Sequence, residues 1–133
     1  MASITEQVSV AVDAQRAWQA LRDVGRAHVL FAPVLVAGSI AGEIRTVTFA
    51  NGMVVRERIL DVDEEHMRVA YAALEPQGMT HHHASMEVVE DGPGRCHFVW
   101  ITDVHPAAVA DSIRPLITEG AQALKKNLET GAA

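Results

Sequence analysis

Along most of this chain apolar residues recur at every second position, and in three places they recur at every third or fourth. From residue 4 to 12, Ile4, Val8, Val10 and Val12 share one face while Thr5, Gln7 and Ser9 take the other, which predicts a half-buried strand. The period then lengthens. Ala17, Trp18 and Leu21 sit at helical spacing within residues 14–22, Asp13 is placed as an N-cap, and Gly25 breaks the pattern. A short second helical segment, residues 27–31, ends at Pro33. Alternation resumes in six runs: 34–40, 43–50, 53–62, 67–74, 80–90 and 95–105. Between them fall Gly42, Asn51-Gly52, Pro76-Gln77-Gly78 and Asp91-Gly92-Pro93-Gly94, all turn formers.

The final stretch, from about Pro106 to Glu129, is one long amphipathic helix. Val109, Ile113, Leu116, Ile117, Gly120, Leu124 and Leu128 form its apolar stripe. Lys125 and Lys126 are expected in the last turn, where cations suit the helix dipole, with Gly131 as the stop. Pro115 lacks the amide that would bond the carbonyl of Asp111, so a bend or a restart is expected near residues 111–115. Gly120 leaves a notch in the stripe, read either as close packing against a sheet or as room for a ligand. A helix of about 35 Å at 1.5 Å per residue needs a large apolar partner, and the strands supply it.

Hairpin chemistry refines this picture. With Gly52 in the left-handed position of a three-residue loop, Phe49 faces Met53, Val47 faces Val55 and Arg45 faces Glu57. A two-residue loop would set Arg45 against Arg58, like charge on like, so the first register is preferred. It places an Arg45–Glu57 ion pair among apolar neighbours, as a polar anchor inside a cavity or a structural pair at its rim. Pairing Asp91 with Arg95 aligns Val88 with Phe98, Met86 with Trp100, Ala84 with Thr102 and His82 with Val104. That face, the more apolar, is assigned to the interior. His82 therefore points in, while His81, His83, Asp103 and His105 gather outside.

Composition sets the remaining bounds. The 133 residues suit one domain, 1–133, able to bury roughly two-thirds of its unfolded surface. A net charge of −6 with no Lys/Arg cluster excludes nucleic acid as a partner, and no run is long enough for membrane insertion. One cysteine, Cys96, allows no internal disulfide, and there is no basic segment followed by an apolar run at the N-terminus, so a cytoplasmic location is expected.

The element order, the Trp18 helix, Gly42-Glu43-Ile44-Arg45, Val55-Arg56-Glu57-Arg58-Ile59 with the later Asp63, Tyr71, Phe98-Val99-Trp100 and the closing helix together resemble the START/Bet v 1-like (SRPBCC) superfamily. Within it the chain is most similar to the small bacterial polyketide cyclase/dehydrase-like members. The resemblance spans essentially the whole chain. It implies an α+β helix-grip fold: a curved seven-stranded antiparallel sheet wrapped around a long C-terminal helix, with two short helices after the first strand. It also implies an internal cavity lined by Arg45, Glu57, Trp100 and His82. The chain departs from the family in having Ala14 where Pro often follows the first strand, and His82 where Tyr often stands.

Three classes of function are weighed on these residues. The first is a module binding a small hydrophobic or amphipathic molecule, with Arg45, Glu57, Tyr71, His82 and Thr102 as polar groups and Trp100, Ile113 and Ile117 as further ligand contacts. The second is a cyclase or dehydratase using His82, with Glu57 or Tyr71, as acid and base. The third is an accessory protein with a filled core. No catalytic residue is assigned, Ser85 lies in no nucleophile elbow, and no cofactor is implied. No metal is assigned either, since histidines on strand surfaces are usually solvated, and nothing here fixes the oligomeric state. Trp18 and Phe31 are read as core, His66 as a surface residue, and His28 as a surface residue with the cavity mouth as the alternative.

Overall fold

The computed structural model describes residues 1–76 and 78–133; Gln77 of the expected Pro76–Gly78 turn lies outside them. All seven expected strands form: β1 (Ala2–Val10), β2 (Leu35–Ala41), β3 (Ile44–Phe49), β4 (Val54–Asp63), β5 (Arg68–Leu74), β6 (His81–Glu90) and β7 (Cys96–His105). They make one antiparallel sheet in the order β1-β7-β6-β5-β4-β3-β2. Two short helices, α1 (Ala14–Leu21) and α2 (Ala27–Leu30), follow β1, and the long α3 (Ala110–Thr130) closes the chain. This is the helix-grip fold.

Both hairpin registers are those expected from the turns. Arg45 pairs with Glu57 and Val47 with Val55, and Gly52 adopts φ +90°. The Phe49 amide donates to the Met53 carbonyl and the Gly52 amide to that of Phe49. In the β6–β7 ladder His82 pairs with Val104, Ala84 with Thr102, Met86 with Trp100 and Val88 with Phe98. On the opposite face Asp103 accepts a hydrogen bond from Ser3, and among the described residues no three His, Cys, Asp or Glu side chains are arranged to share a metal ion.

The core sits between the inner face of the sheet and the helices. Trp18, Val10, Val69, Cys96, Phe98 and Leu124 are almost wholly buried there. The indole N–H of Trp18 donates to Glu64, which also receives Arg22, so α1 is pinned to the β4–β5 turn. Asn127, also buried, sits on the inner face of α3 and donates both amide hydrogens, to the carbonyls of Leu30 and Ala32, at 2.8 Å each.

Four expectations need correction. Asp13 is the N-cap residue of α1 as expected, but its carboxylate makes no capping bond; Oδ1 instead accepts the amide of Gly94 in the β6–β7 turn at 2.6 Å. Of the bend or restart expected near Pro115, the restart does not occur: α3 runs through it as one helix, preceded by the 3-10 turn Ala107–Val109. Because α3 extends to Thr130, Lys125 and Lys126 stand before its last turn. Lys125 reaches sideways to the Ser9 carbonyl and to Glu129, while Gly131, at φ +78°, ends the helix as expected. His28 is half buried rather than on the surface, packed over Gly38.

Candidate functional site

Between the sheet and α3 lies a cavity of about 510 Å³. The side chains of Arg45, Glu57, Tyr71, His82, Trp100, Thr102, Ile113 and Ile117 all line it. The sequence reading left out several wall residues, chiefly Phe31, Phe49, Ala73, Met86 and Leu116. Phe49 had a signal, since it shares a face with Val47 and Val55 in the expected register. Exposed Met53, Val54, Glu75 and Ser112 mark the mouth.

The polar wall is built from strand register. Arg45 and Glu57 face each other across β3 and β4, 6% and 9% exposed. Arg45 places Nε and Nη2 on the same carboxylate oxygen, Oε1, at 2.9 and 2.8 Å, and Nη1 on the Val24 carbonyl at 3.3 Å. Its guanidinium also lies 4.9 Å from the Tyr71 ring centroid, a cation–π contact. Burial raises the pKa of Glu57 above the ordinary carboxylate range despite the opposing charge of Arg45. Burial, then the nearby Glu57 charge, likewise raises the Tyr71 phenol.

His82 occupies an unusual place. β5 and β6 pair only from Arg68↔Glu87 to Tyr71↔Ala84, and past that point the Ala73 amide donates to His82 Nδ1 at 3.0 Å instead of to a β6 carbonyl. A ring nitrogen that accepts carries no proton, so the neutral imidazole bears its hydrogen on Nε2. Burial, helped by His83 and His81, lowers its pKa to about 4, which keeps it neutral near pH 7. Glu57 is the β4 partner of Ala73. Glu57 and His82 thus flank Ala73 from its two sides, and all three line the cavity.

Two further polar groups stand on this wall. The Trp100 indole nitrogen and the Thr102 hydroxyl are buried without a well-formed hydrogen bond in the protein, although the Tyr71 phenol stands near the indole N–H. Buried polar groups are nearly always bonded, and these two face space in which a water or a small molecule can reach them. The Gly120 notch resolves in favour of packing: a Cβ there would stand 2.9 Å from Cζ3 of Trp100. Trp100 fills the space and in turn meets Phe31, with ring centroids 5.6 Å apart.

Comparison with known proteins agrees with this architecture. A family model described as polyketide cyclase/dehydrase and lipid transport matches residues 1–130. An uncharacterized protein from Bacillus thuringiensis superposes with a TM-score of 0.86 at 16% identity, over 96% of this chain and 98% of that one. Norcoclaurine synthase from Thalictrum flavum, solved with a transition-state analogue, gives 0.75 at 23% identity over 99% and 96%. The di-domain ARO/CYC BexL, from the BE-7585A biosynthetic pathway, gives 0.83 at 12% over 97% of this chain and 47% of its own. At such identities the likeness establishes the fold. No match is found among curated proteins.

Proposed function

The chain belongs to the polyketide cyclase/dehydrase and lipid transport family, and from that premise we propose that it binds a small hydrophobic or amphipathic molecule in the cavity between sheet and α3. The observation that carries this reading is the pair of buried groups without a well-formed hydrogen bond, Trp100 Nε1 and Thr102 Oγ1, on the wall of a cavity of about 510 Å³. That volume falls within the roughly 300–1,000 Å³ of small-molecule sites. A cavity kept only by imperfect packing would be small and apolar, and its polar atoms would be satisfied within the protein.

The test is saturable binding of the neutral dye Nile red, followed by fluorescence. Ile113→Trp, which adds bulk on α3 towards the mouth, should weaken binding at least tenfold, or about 1.4 kcal/mol. Leu60→Trp, at a position 48% exposed that does not line the cavity, should leave it unchanged. Equal binding by the wild type and Ile113→Trp would reject the cavity as the site.

A second reading, acid–base catalysis on the bound molecule, is favoured by one specific arrangement. Glu57 has raised proton affinity and an Oε2 oxygen left free by Arg45, and His82 stands across Ala73 with its hydrogen on Nε2. On this reading the protein should speed exchange of the methyl protons of 2-acetylnaphthalene for deuterium, followed by NMR. His82→Phe, with dye binding retained, should cut the acceleration by roughly 10²–10⁴-fold, the range of general acid–base contributions. Exchange at the buffer rate in the wild type would leave the carrier reading alone.

A further inference from the structure

The hydrogen-bonding groups of the cavity are unevenly committed, and the imbalance carries a selectivity. We infer that, if the cavity is the binding site as argued above, it selects a neutral ligand that accepts hydrogen bonds, an apolar skeleton carrying a ketone or ester oxygen, and rejects carboxylates and phosphates of the same size. Apart from the Glu57 Oε2 oxygen, the buried groups left for a ligand can donate. Trp100 Nε1 can only donate, and it is buried with no well-formed hydrogen bond, the Tyr71 phenol beside it being a weak partner that a ligand oxygen can replace. The Thr102 hydroxyl, on a residue 2% exposed, is unpartnered and free to donate. His82, with Nδ1 engaged by the Ala73 amide, offers Nε2–H.

The cations, by contrast, are spent within the protein. Among the described residues lining the cavity only Arg45 and Arg56 carry a fixed positive charge. Arg45 directs Nε and Nη2 to Glu57 and Nη1 to Val24, with its face against Tyr71. Arg56 is bonded to Glu75 at the exposed rim, 3.2 Å away. An anion entering the cavity would lose its hydration and meet the Glu57 carboxylate with no free counter-charge inside, Arg56 standing only at the solvent-exposed rim. A carbonyl oxygen loses far less on leaving water and finds donors that otherwise lack a well-formed bond.

Three ligands of matched size separate these possibilities: 2-acetylnaphthalene, 2-naphthoate and 2-isopropylnaphthalene, each competing with Nile red at neutral pH. The ketone should displace the dye at roughly tenfold lower concentration than the carboxylate, the ratio that one well-made hydrogen bond supplies. It should also outcompete the hydrocarbon severalfold, and Trp100→Phe or Thr102→Val should narrow that second margin towards one. Displacement by naphthoate at equal or lower concentration would overturn the inference while leaving cavity binding standing, and so would a ketone margin unaltered in both variants. Dye binding that Ile113→Trp leaves intact would instead overturn the cavity reading itself, and this inference with it.

Discussion

Arg45→Met should lower the unfolding free energy by about 3–5 kcal/mol near pH 7, the usual result of removing one partner of a buried ion pair. Glu57 is then left 9% exposed with its two hydrogen bonds from Arg45 gone. The loss should depend on pH. Burial already raises the Glu57 pKa in the presence of Arg45, and without the cation the rise is larger. A carboxyl whose pKa is raised by folding contributes its stability in full below the ordinary value of about 4.3, and that stability is lost as pH climbs through the folded-state value. Arg45→Met should therefore match the double variant Arg45→Met/Glu57→Gln in acid and fall below it as pH rises. Groups that titrate elsewhere, such as His82 and His66, are common to both proteins and cancel in the difference. Glu57→Gln alone should also cost a few kcal/mol, and acid gives it no relief, because arginine cannot shed its proton. Urea unfolding at several pH values reads all three. A loss below about 1 kcal/mol for Arg45→Met would mean that water in the cavity solvates Glu57, which would remove the pair from the list of buried anchors.

This pair was legible in the sequence for a physical reason. Asn51-Gly52 fixes a turn, the turn fixes a register, and like charges cannot face each other, so Arg45 opposite Glu57 followed from local rules alone. The β6–β7 register was readable in the same way, and it sent His82 inward. What stayed hidden depends on contacts distant in sequence. Asp13 looks like a cap because Asp commonly caps helices, yet Gly94 takes its carboxylate from across the molecule. The role of His82 at Ala73 follows from β5–β6 pairing that stops early, and no pattern of apolar positions records where a ladder ends. Gly120 was ambiguous for a related reason: only the placement of Trp100 decides between a packed notch and an empty one. Asn127 is absent from the apolar stripe that the helix period defines, and only the packed fold shows that its amide meets two carbonyls.

Asn127 finds two carbonyls, and Asn127→Leu should cost about 2–4 kcal/mol. Leucine keeps the bulk, so little cavity forms, but the carbonyls of Leu30 and Ala32 lose their donors in a dry setting, and each buried group left unsatisfied costs roughly 1–3 kcal/mol. Asn127→Asp separates hydrogen bonding from packing. An ionised carboxylate has only acceptors to set against two acceptors, so at neutral pH it should be at least as damaging as leucine. Burial and the facing carbonyls raise the pKa of that carboxyl. Its protonated form donates one hydrogen bond, so stability should be regained as pH falls below the raised value and lost again as pH rises through it. The consequence reaches the cavity. Residue 31 lies between the two anchored carbonyls, and the Phe31 ring lines the cavity and packs on Trp100 and Phe98. Once that clamp is removed the Phe31 wall is held only by packing, and Nile red binding should weaken in Asn127→Leu even at temperatures where the variant remains folded. Thermal unfolding at two pH values, with dye titration on the same samples, decides the matter. An Asn127→Asp variant as stable at neutral pH as the wild type would show that the two carbonyls find water, and the clamp would then have no part in shaping the site.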